Sequence, residues 1–350
     1  MEAYDVIVIG AGQAGLAMGY YLRQTELSYV ILGKEERVGD VWRNRYDSLV
    51  LFTPRWFSAL PGMTMKGDPD GFAGKFEAAD YLAEYAVRYH LPVRLETEVK
   101  SLYKQGGEFI VITSSGEYSA KHVVVASGPF QKPWIPHFSS ELSKSVFQVH
   151  SSRYRNHNQL KEGPVTIVGG GNSGAQIAEE LAGDREVYLS TNRQMRFMPL
   201  KLWGKSIFWW LDKLGIYRLG IHTKLGKRIS KRGDPIVGNG LVSLIRSGQV
   251  KLKPGTVNAE SNRLLFENGT RIEVQNVIWA TGFSPDYYWI HIPDVLDSGG
   301  KPVHLRGISP VEGLYFLGMP WQHSRSSALI AGVAYDAEYI NRAIVSRKGG

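Results

Sequence analysis

Two glycine-rich turns of one design carry the most legible chemistry in this chain: Gly10-Ala11-Gly12-Gln13-Ala14-Gly15 and Gly169-Gly170-Gly171-Asn172-Ser173-Gly174. Each follows an apolar run that reads as a buried strand, residues 5–9 and 165–168, and each opens a helix-like stretch, 16–22 and 175–181. This is the spacing of a dinucleotide-binding turn. The first glycine permits a tight turn, the second lets a pyrophosphate approach the backbone, and the third lets helix and strand pack closely. The diphosphate then meets free N–H groups at a helix N-terminus, where the dipole favours an anion. Two such sites in one chain point to two bound dinucleotides, and so to a flavin reduced by a nicotinamide. Gly174→Ala is expected to hinder nicotinamide binding while sparing the flavin.

The residues after the second strand of each unit distinguish the nucleotides. An acid there holds a ribose 2′-hydroxyl, whereas an arginine accepts a 2′-phosphate. In the second unit, strand residues 186–189 are followed by Ser190, Thr191, Asn192 and Arg193, with no acid. This favours NADPH over NADH, with Arg196 and Lys201 as helpers. The alternative is that Arg193 is a solvated loop residue. In the first unit the strand is 29–32, and Gly33 stands where the acid is expected, followed by Lys34, Glu35 and Glu36. Either Glu35 or Glu36 reaches the ribose, or the backbone binds it.

The elements that position these turns follow from hydrophobic period and turn residues. Strands are expected at 4–9, 29–32, 93–103, 108–113 and 117–126, and helices at 13–24 and 77–90. Residues 36–75 form an excursion rich in Gly, Pro and aromatics, and Pro129, Pro133 and Pro136 punctuate an exit. A second βαβ unit then begins near residue 149. It holds an aromatic, basic helical segment over 200–232 and strands near 250–253, 264–266 and 271–274. Residues 277–280 read as a last strand leading back to the first domain, followed by a strand at 314–318 and a closing helix at 328–345. The fold class is α/β, with two Rossmann-like domains. A nicotinamide domain, 149–277, is inserted into a flavin domain, 1–148 and 278–350.

Composition narrows the setting. A length of 350 residues suits two domains, and 43% hydrophobic content supplies real cores. The start, Met1-Glu2-Ala3-Tyr4-Asp5, lacks the basic region of a secretory signal, and no apolar run is long enough to span a bilayer, so a cytoplasmic location is expected. With no cysteine, disulfides, thiolate metal sites and dithiol relays are excluded, and no metal site is expected. Much of the net charge of +8 sits between Arg193 and Arg232, where Asp212 is the sole acid. That stretch reads as a solvated basic face or as the seat of a phosphorylated cofactor. No nucleic-acid reader motif is present.

Further stretches carry a family resemblance. Residues 38–46, with Gly39 and Trp42, resemble a GGxW segment beside a flavin. Leu51-Phe52-Thr53-Pro54-Arg55 resembles the loop near the ring's reactive edge. Residues 147–154 resemble a fingerprint, FxGxxxHxxx plus an aromatic, keeping His150, Ser151 and Tyr154 but not the internal glycine. Trp279-Ala280-Thr281-Gly282-Phe283 resembles the ATG element where the chain crosses between domains. Residues 313–318 and 320–324 resemble the last FAD segment. Together these resemble the group B flavin-dependent monooxygenases, which include the flavin-containing monooxygenases, the Baeyer–Villiger enzymes and the plant YUCCA enzymes. The likeness is greatest to their small bacterial relatives, the CzcO-like flavoproteins, and covers nearly the whole chain.

The resemblance implies FAD and NADPH as cofactors. Hydride passes from NADPH to the flavin, dioxygen adds to give a flavin hydroperoxide, and one oxygen atom goes to a small nucleophilic (sulfur or nitrogen) or carbonyl substrate. It places Trp42, Thr53, Arg55 and Gln322 at the flavin face. The first cofactor site is expected at Gly10, Gly12, Gln13, Ala14, Gly15, Glu35, Glu36, Gly39, Trp42, Val99, Ala126, Ser127, Gly128, Gly318 and Gln322. The second is expected at Gly169, Gly171, Asn172, Ser173, Gly174, Ser190 and Arg193, with Ala280, Thr281 and Gly282 at the crossing. Where flavin-containing monooxygenases and YUCCA enzymes place Asn or His, this chain aligns Phe52.

Trp42 is alternatively a core residue, and His150 alternatively holds the linker rather than NADPH. Trp203, Phe208, Trp209, Trp210 and Tyr217 read as core, tunnel wall or a weak membrane-surface anchor. Two other functions remain open: an NADPH-dependent flavin reductase or electron donor, and a nucleotide-sensing accessory of a membrane cation transporter. Dioxygen and a small molecule are the expected partners, and a homodimer stays open.

Overall fold

The computed structural model describes residues 1–346. Strand β1 (Glu2–Ile9), helix α1 (Gln13–Leu22) and strand β2 (Tyr29–Leu32) form the first βαβ unit. β1 is the centre of a sheet whose order runs Val93–Arg94, β2, β1, Gly116–Val125, Glu108–Thr113, Val99–Gln105. The inner pairs around β1 are parallel, and the last two pairs are antiparallel. A late strand, Leu314–Phe316, joins parallel to Gly116–Val125. A β1 built from Val and Ile suits burial on both faces. Val6 and Val8 pack with α1 and the helices Lys75–Arg88 and Val333–Ser346 on one face. Ile7 and Ile9 pack with Val123 and the returning chain around Ile290 on the other. That split is the strand's period of two.

The second sheet is wholly parallel, in the order Phe147–His150, Asn276–Trp279, Val165–Val168, Val187–Ser190, Val250–Lys253. Helix Asn172–Leu181 packs on it through Ala175, Ile177, Ala178 and Leu181.

Several expectations need correction. The strand expected near 277–280 runs Asn276–Trp279 as a central member of the second sheet, flanked by Phe147–His150 and Val165–Val168, and the chain after it returns to the first sheet at Trp289. The expected domain limits, 149 and 277, each fall inside one of these strands. The strand expected over 93–103 is two strands on opposite edges of the first sheet, because Glu96 takes a left-handed φ of 51° and breaks it. The helical segment over 200–232 is a small hairpin, Lys201–Leu202 with Lys205–Ser206, and then the short helices Ile207–Lys213 and Lys224–Ser230. The excursion over 36–75 contains its own antiparallel pair, Val50–Pro54 with Phe72–Gly74. The helix expected over 77–90 is Lys75–Arg88, and the closing one begins at Val333. Residues 347–350 of the expected first domain lie outside the described residues.

Candidate functional site: two matched dinucleotide cradles

The two glycine turns are the same object built twice. Gly10 has φ +115° and Gly169 φ +120°, values open to glycine and costly for other residues. A Cβ on Gly10 would lie 2.5 Å from the Ala126 carbonyl oxygen, and one on Gly169 would lie 2.2 Å from that of Ala280. A Cβ on Gly15 would lie 1.8 Å from the Gly10 carbonyl oxygen, and on Gly174 2.0 Å from that of Gly169. Gly12 and Gly171 instead face open space, with nothing within 4 Å of a Cβ. Thus the first and last glycines of each turn serve packing, while the middle one leaves room for a ligand. Gly174→Ala therefore deforms the turn itself, and Gly171 is the position where an added side chain meets a ligand alone. Gly12 and Gly171 are also the N-cap residues of ten-residue helices, and neither helix has a side-chain cap. Their first N–H groups remain available to a phosphate.

The first turn opens onto a cleft of about 330 Å³. It is lined by Gly10, Gly12, Gln13 and Ala14 from the turn, by Glu35, Gly39 and Val99, and by Ala126, Ser127, Gly128 and Gly318. Gly15 sits behind it, as its packing role requires. The missing acid finds a structural answer. A Cβ on Gly33 would crowd the Ala11 Cβ at 2.7 Å, and Glu35 Oε2 lies 3.6 Å from that same point. Glu35 thus folds back beside the vacant side-chain position, whereas Glu36 is exposed and outside the lining. Lys34, Arg37, Gln131, Asp286 and Trp289 also line the cleft and carried no signal in the sequence. Asp286 and Trp289 enter on a loop that returns to the first sheet through the Leu102 N–H to Trp289 carbonyl bond of 2.8 Å.

The four flavin-face candidates do not converge. Trp42 is half-buried, packs against the first core and lies outside the cleft lining; its Nε1 is enclosed without a hydrogen-bond partner. Gln322 is buried; its Oε1 accepts from Met319 N at 3.3 Å, and its unpaired Nε2 lies 2.5 Å from where a Gly307 Cβ would stand. Thr53 is spent on a local turn, its hydroxyl 2.7 Å from Ser58 Oγ. Arg55 forms a two-pronged ion pair with Glu77 of the helix Lys75–Arg88, one arm at 2.7 Å, and its Nη1 donates to the Asp68 carbonyl at 3.4 Å, which joins the loop of residues 67–71 to that helix. Thr53 and Arg55 therefore hold the excursion together, and neither lines the first cleft.

In the second unit, Ser190 is buried at 1% exposure with its hydroxyl 2.8 Å from both Pro254 O and Thr256 Oγ1. It is unavailable to a ribose. The Asn172 amide is likewise engaged, accepting from Val237 N at 3.1 Å and donating to Pro235 O at 3.2 Å. Ser173 is a neighbour of the Tyr46 phenol. Arg193 is exposed on a turn held by Thr191 Oγ1, and its guanidinium has no ion pair or hydrogen bond among the described residues. Arg196 spends one nitrogen on the Arg232 and Gly233 carbonyls, the latter at 2.7 Å.

At the crossing, Ala280 closes on Gly169 as above, and the Thr281 hydroxyl donates to the Trp134 carbonyl. Ser152 N donates to His150 Nδ1 at 3.1 Å, which makes Nδ1 an acceptor. Nε2 then carries the proton and donates to Gly282 O at 3.0 Å. Burial holds this imidazole below its ordinary pKa. His150 is a neutral clamp on the crossing, and both nitrogens are used.

A second cavity of about 300 Å³ lies between the excursion and the second unit, walled by Leu51, Phe52, Phe72, Leu200 and Val237 with Gln176 and Glu179. Phe52 stacks on Phe208 at 6.0 Å, inside an aromatic cluster with Phe57 and Tyr217.

Comparison with known proteins agrees with this geometry. A family model described as pyridine nucleotide-disulphide oxidoreductase matches residues 7–199. A CzcO-like oxidoreductase of Geobacillus kaustophilus is 60% identical over 96% of this chain and 97% of its own. The probable indole-3-pyruvate monooxygenase YUCCA4 of Arabidopsis thaliana is 28% identical over 95% of this chain and 87% of its own. Among solved structures, a flavin-containing monooxygenase from Stenotrophomonas maltophilia superimposes with a TM-score of 0.83 at 28% identity, covering 99% of this chain and all of that one.

Proposed function

The chain belongs to the pyridine nucleotide-disulphide oxidoreductase family, and from that premise we propose that it is an NADPH-dependent FAD monooxygenase. Its substrate is a small sulfur or nitrogen nucleophile or a carbonyl compound. The observation that carries this reading is the pair of matched cradles in a chain without cysteine. Two dinucleotides can bind, and no dithiol exists to take the electrons onward, so they leave to an external acceptor. The full-length likeness to named flavin monooxygenases supports dioxygen as that acceptor.

The chain's residues divide the work as follows. The free N–H groups after Gly12 hold the FAD diphosphate, and Glu35 takes the ribose hydroxyls that an acid at position 33 would hold. The N–H groups after Gly171 hold the NADPH diphosphate, and Arg193 meets its 2′-phosphate. His150 fixes the crossing between the sites without exchanging a proton. FAD, when bound, supplies the two-electron chemistry and the reaction with dioxygen. Weak contact with a membrane surface, through the exposed Leu202–Trp203 tip, belongs to the same proposal.

The test is oxygen accounting. The FAD-loaded protein is given NADPH and isotopically labelled dioxygen with a panel of thioethers, amines and ketones. The expected result is label in one product class and less than one peroxide per NADPH. Stoichiometric peroxide with every compound would overturn oxygenation. It would favour the electron-donor reading, which the apolar Phe52 supports, since its ring stands where related enzymes place a polar side chain.

A further inference from the structure

Arg45 is a cation without an anion. Its guanidinium lies 4.7 Å from the ring centre of Phe130 and 5.5 Å from that of Phe283, and the two rings meet edge-on at 5.1 Å. Phe130 lines the first cleft, and Phe283 directly follows the Ala280–Gly282 crossing of the second unit. Arg45 therefore stands where the crossing segments of the two units meet. Among the described residues its side chain makes no ion pair and no hydrogen bond. The titratable groups that act on it are the Tyr46 phenol and a second cation, Arg155. The neighbouring Asp47 carboxylate is already taken by Lys75 and Asn156, each at 2.6 Å. Burial, and then Arg155, hold the guanidinium below its ordinary pKa.

The guanidinium is half-buried between two rings and makes no hydrogen bond to the protein among the described residues, so its five donors are free to meet an incoming acceptor. Two aromatic faces supply part of the compensation, but a planar fork of N–H groups matches a phosphate far better. The next residue shows which side supplies it. The Tyr46 hydroxyl donates to Gln176 Oε1 at 2.9 Å and neighbours Ser173, so the backbone next to Arg45 is anchored at the first turns of the helix Asn172–Leu181.

We propose that Arg45 is an anion-binding residue between the two dinucleotide sites, and that its ligand is a phosphate oxygen of the nicotinamide dinucleotide seated on Gly169–Gly174. The negatively charged ring of a reduced flavin is the other source of the same chemistry, on the Phe130 side. The proposal rests on the two-dinucleotide reading and is independent of oxygenation.

The test uses the FAD-loaded protein and its Arg45→Gln and Arg45→Lys variants, with three readouts: NADP⁺ dissociation constant, flavin midpoint potential and Tm. All three are read without dioxygen, so their outcome is separable from the oxygen accounting above. Arg45→Gln is expected to weaken NADP⁺ by at least about tenfold, Arg45→Lys to recover only part of that affinity through its charge, and the potential to stay constant. Unchanged NADP⁺ affinity with a more negative potential in Arg45→Gln would overturn the phosphate assignment in favour of the reduced ring. Equal loss of affinity in both variants alongside a lower Tm would reduce Arg45 to a spacer between two rings, and so would no change in either affinity or potential. If Arg45→Gln does not fold, Arg45→Lys decides: an NADP⁺ affinity unchanged from the parent overturns the proposal, because a fork-matched phosphate contact weakens when one ammonium replaces it.

Discussion

Gly33 leaves a gap in the first unit that the structure fills from two residues away. The sequence narrows the substitute to Glu35 or Glu36, and only the backbone trace chooses between them. Position 33 is pressed against Ala11, and Glu35 Oε2 hangs 3.6 Å from the point where a side chain would begin. Loss of a hydrogen bond to a charged group costs about 1.5–3 kcal/mol, so Glu35→Gln should raise the FAD dissociation constant by about tenfold or more. Glu36→Gln should leave it unchanged. Flavin fluorescence during titration of the apoprotein measures both, and equal affinities would return the ribose to backbone contacts. Other residue roles were hidden for one physical reason. A hydroxyl after a Rossmann strand looks available until its partners are known, and those of Ser190 are Pro254 and Thr256, more than sixty residues onward. Thr53 and Arg55 misled in the same way, because motif position says nothing about Ser58 or Glu77.

Elements with a strong local signal were legible from the chain. The strands at 29–32 and 165–168 follow from short apolar runs bounded by turns, and α1 from the turn that opens it. Sheet membership was not legible, because parallel partners are separated by long crossovers. Asn276–Trp279 reads as a buried strand in isolation, but nothing local says that its neighbours begin at Phe147 and Val165. His150 ends one of those neighbours and clamps Gly282 across the gap. Its pKa is held below the ordinary value of 6.5 by burial, as are those of His304 and His323. Above about pH 6.5 all three are neutral folded or unfolded and cost nothing. Below it the unfolded chain takes up protons that the folded chain resists, so stability falls as pH drops through 6.5 toward the lower folded values. Tm should therefore decline between pH 7 and about 5.5, and His150→Gln should flatten that decline while lowering Tm at pH 7. A slope identical to that of the parent would show that the clamp is not an acid-sensitive element.

At the scale of the whole molecule, the basic, aromatic insert does two different jobs. Its inner end is core: Phe208 and Tyr217 are 1% and 2% exposed and join Phe57 of the excursion, so the insert ties the second unit to the first. Further on, Ile221 N donates to His323 O at 2.8 Å and Ser326 Oγ to Tyr217 O at 3.1 Å, which fastens the insert to the last segment of the flavin domain. Its outer end is the reverse of a core. The hairpin turns at Trp203 and Gly204 with φ of 49° and 74°, a geometry that favours Asn or Gly, and it leaves Trp203 80% exposed. Trp210 braces this tip by donating to Leu202 O at 3.0 Å; Lys201 and Lys205 flank it in the hairpin, and Lys213 lies over Trp209 behind it, all three exposed. An exposed indole among lysines fits the interfacial zone of an anionic bilayer, where each cation contributes about 1 kcal/mol and tryptophan sits at headgroup depth. The protein should sediment with phosphatidylglycerol vesicles at low salt, release as ionic strength rises, and ignore phosphatidylcholine vesicles. Trp203→Ala and the pair Lys205→Glu with Lys213→Glu should each weaken binding, the charge reversal by about tenfold or more. Saturating NADP⁺ should change nothing, because the proposed phosphate contact, Arg193, is not part of the tip. If phosphatidylglycerol vesicles leave the protein in the supernatant, the +8 charge serves cofactor binding and solvation alone.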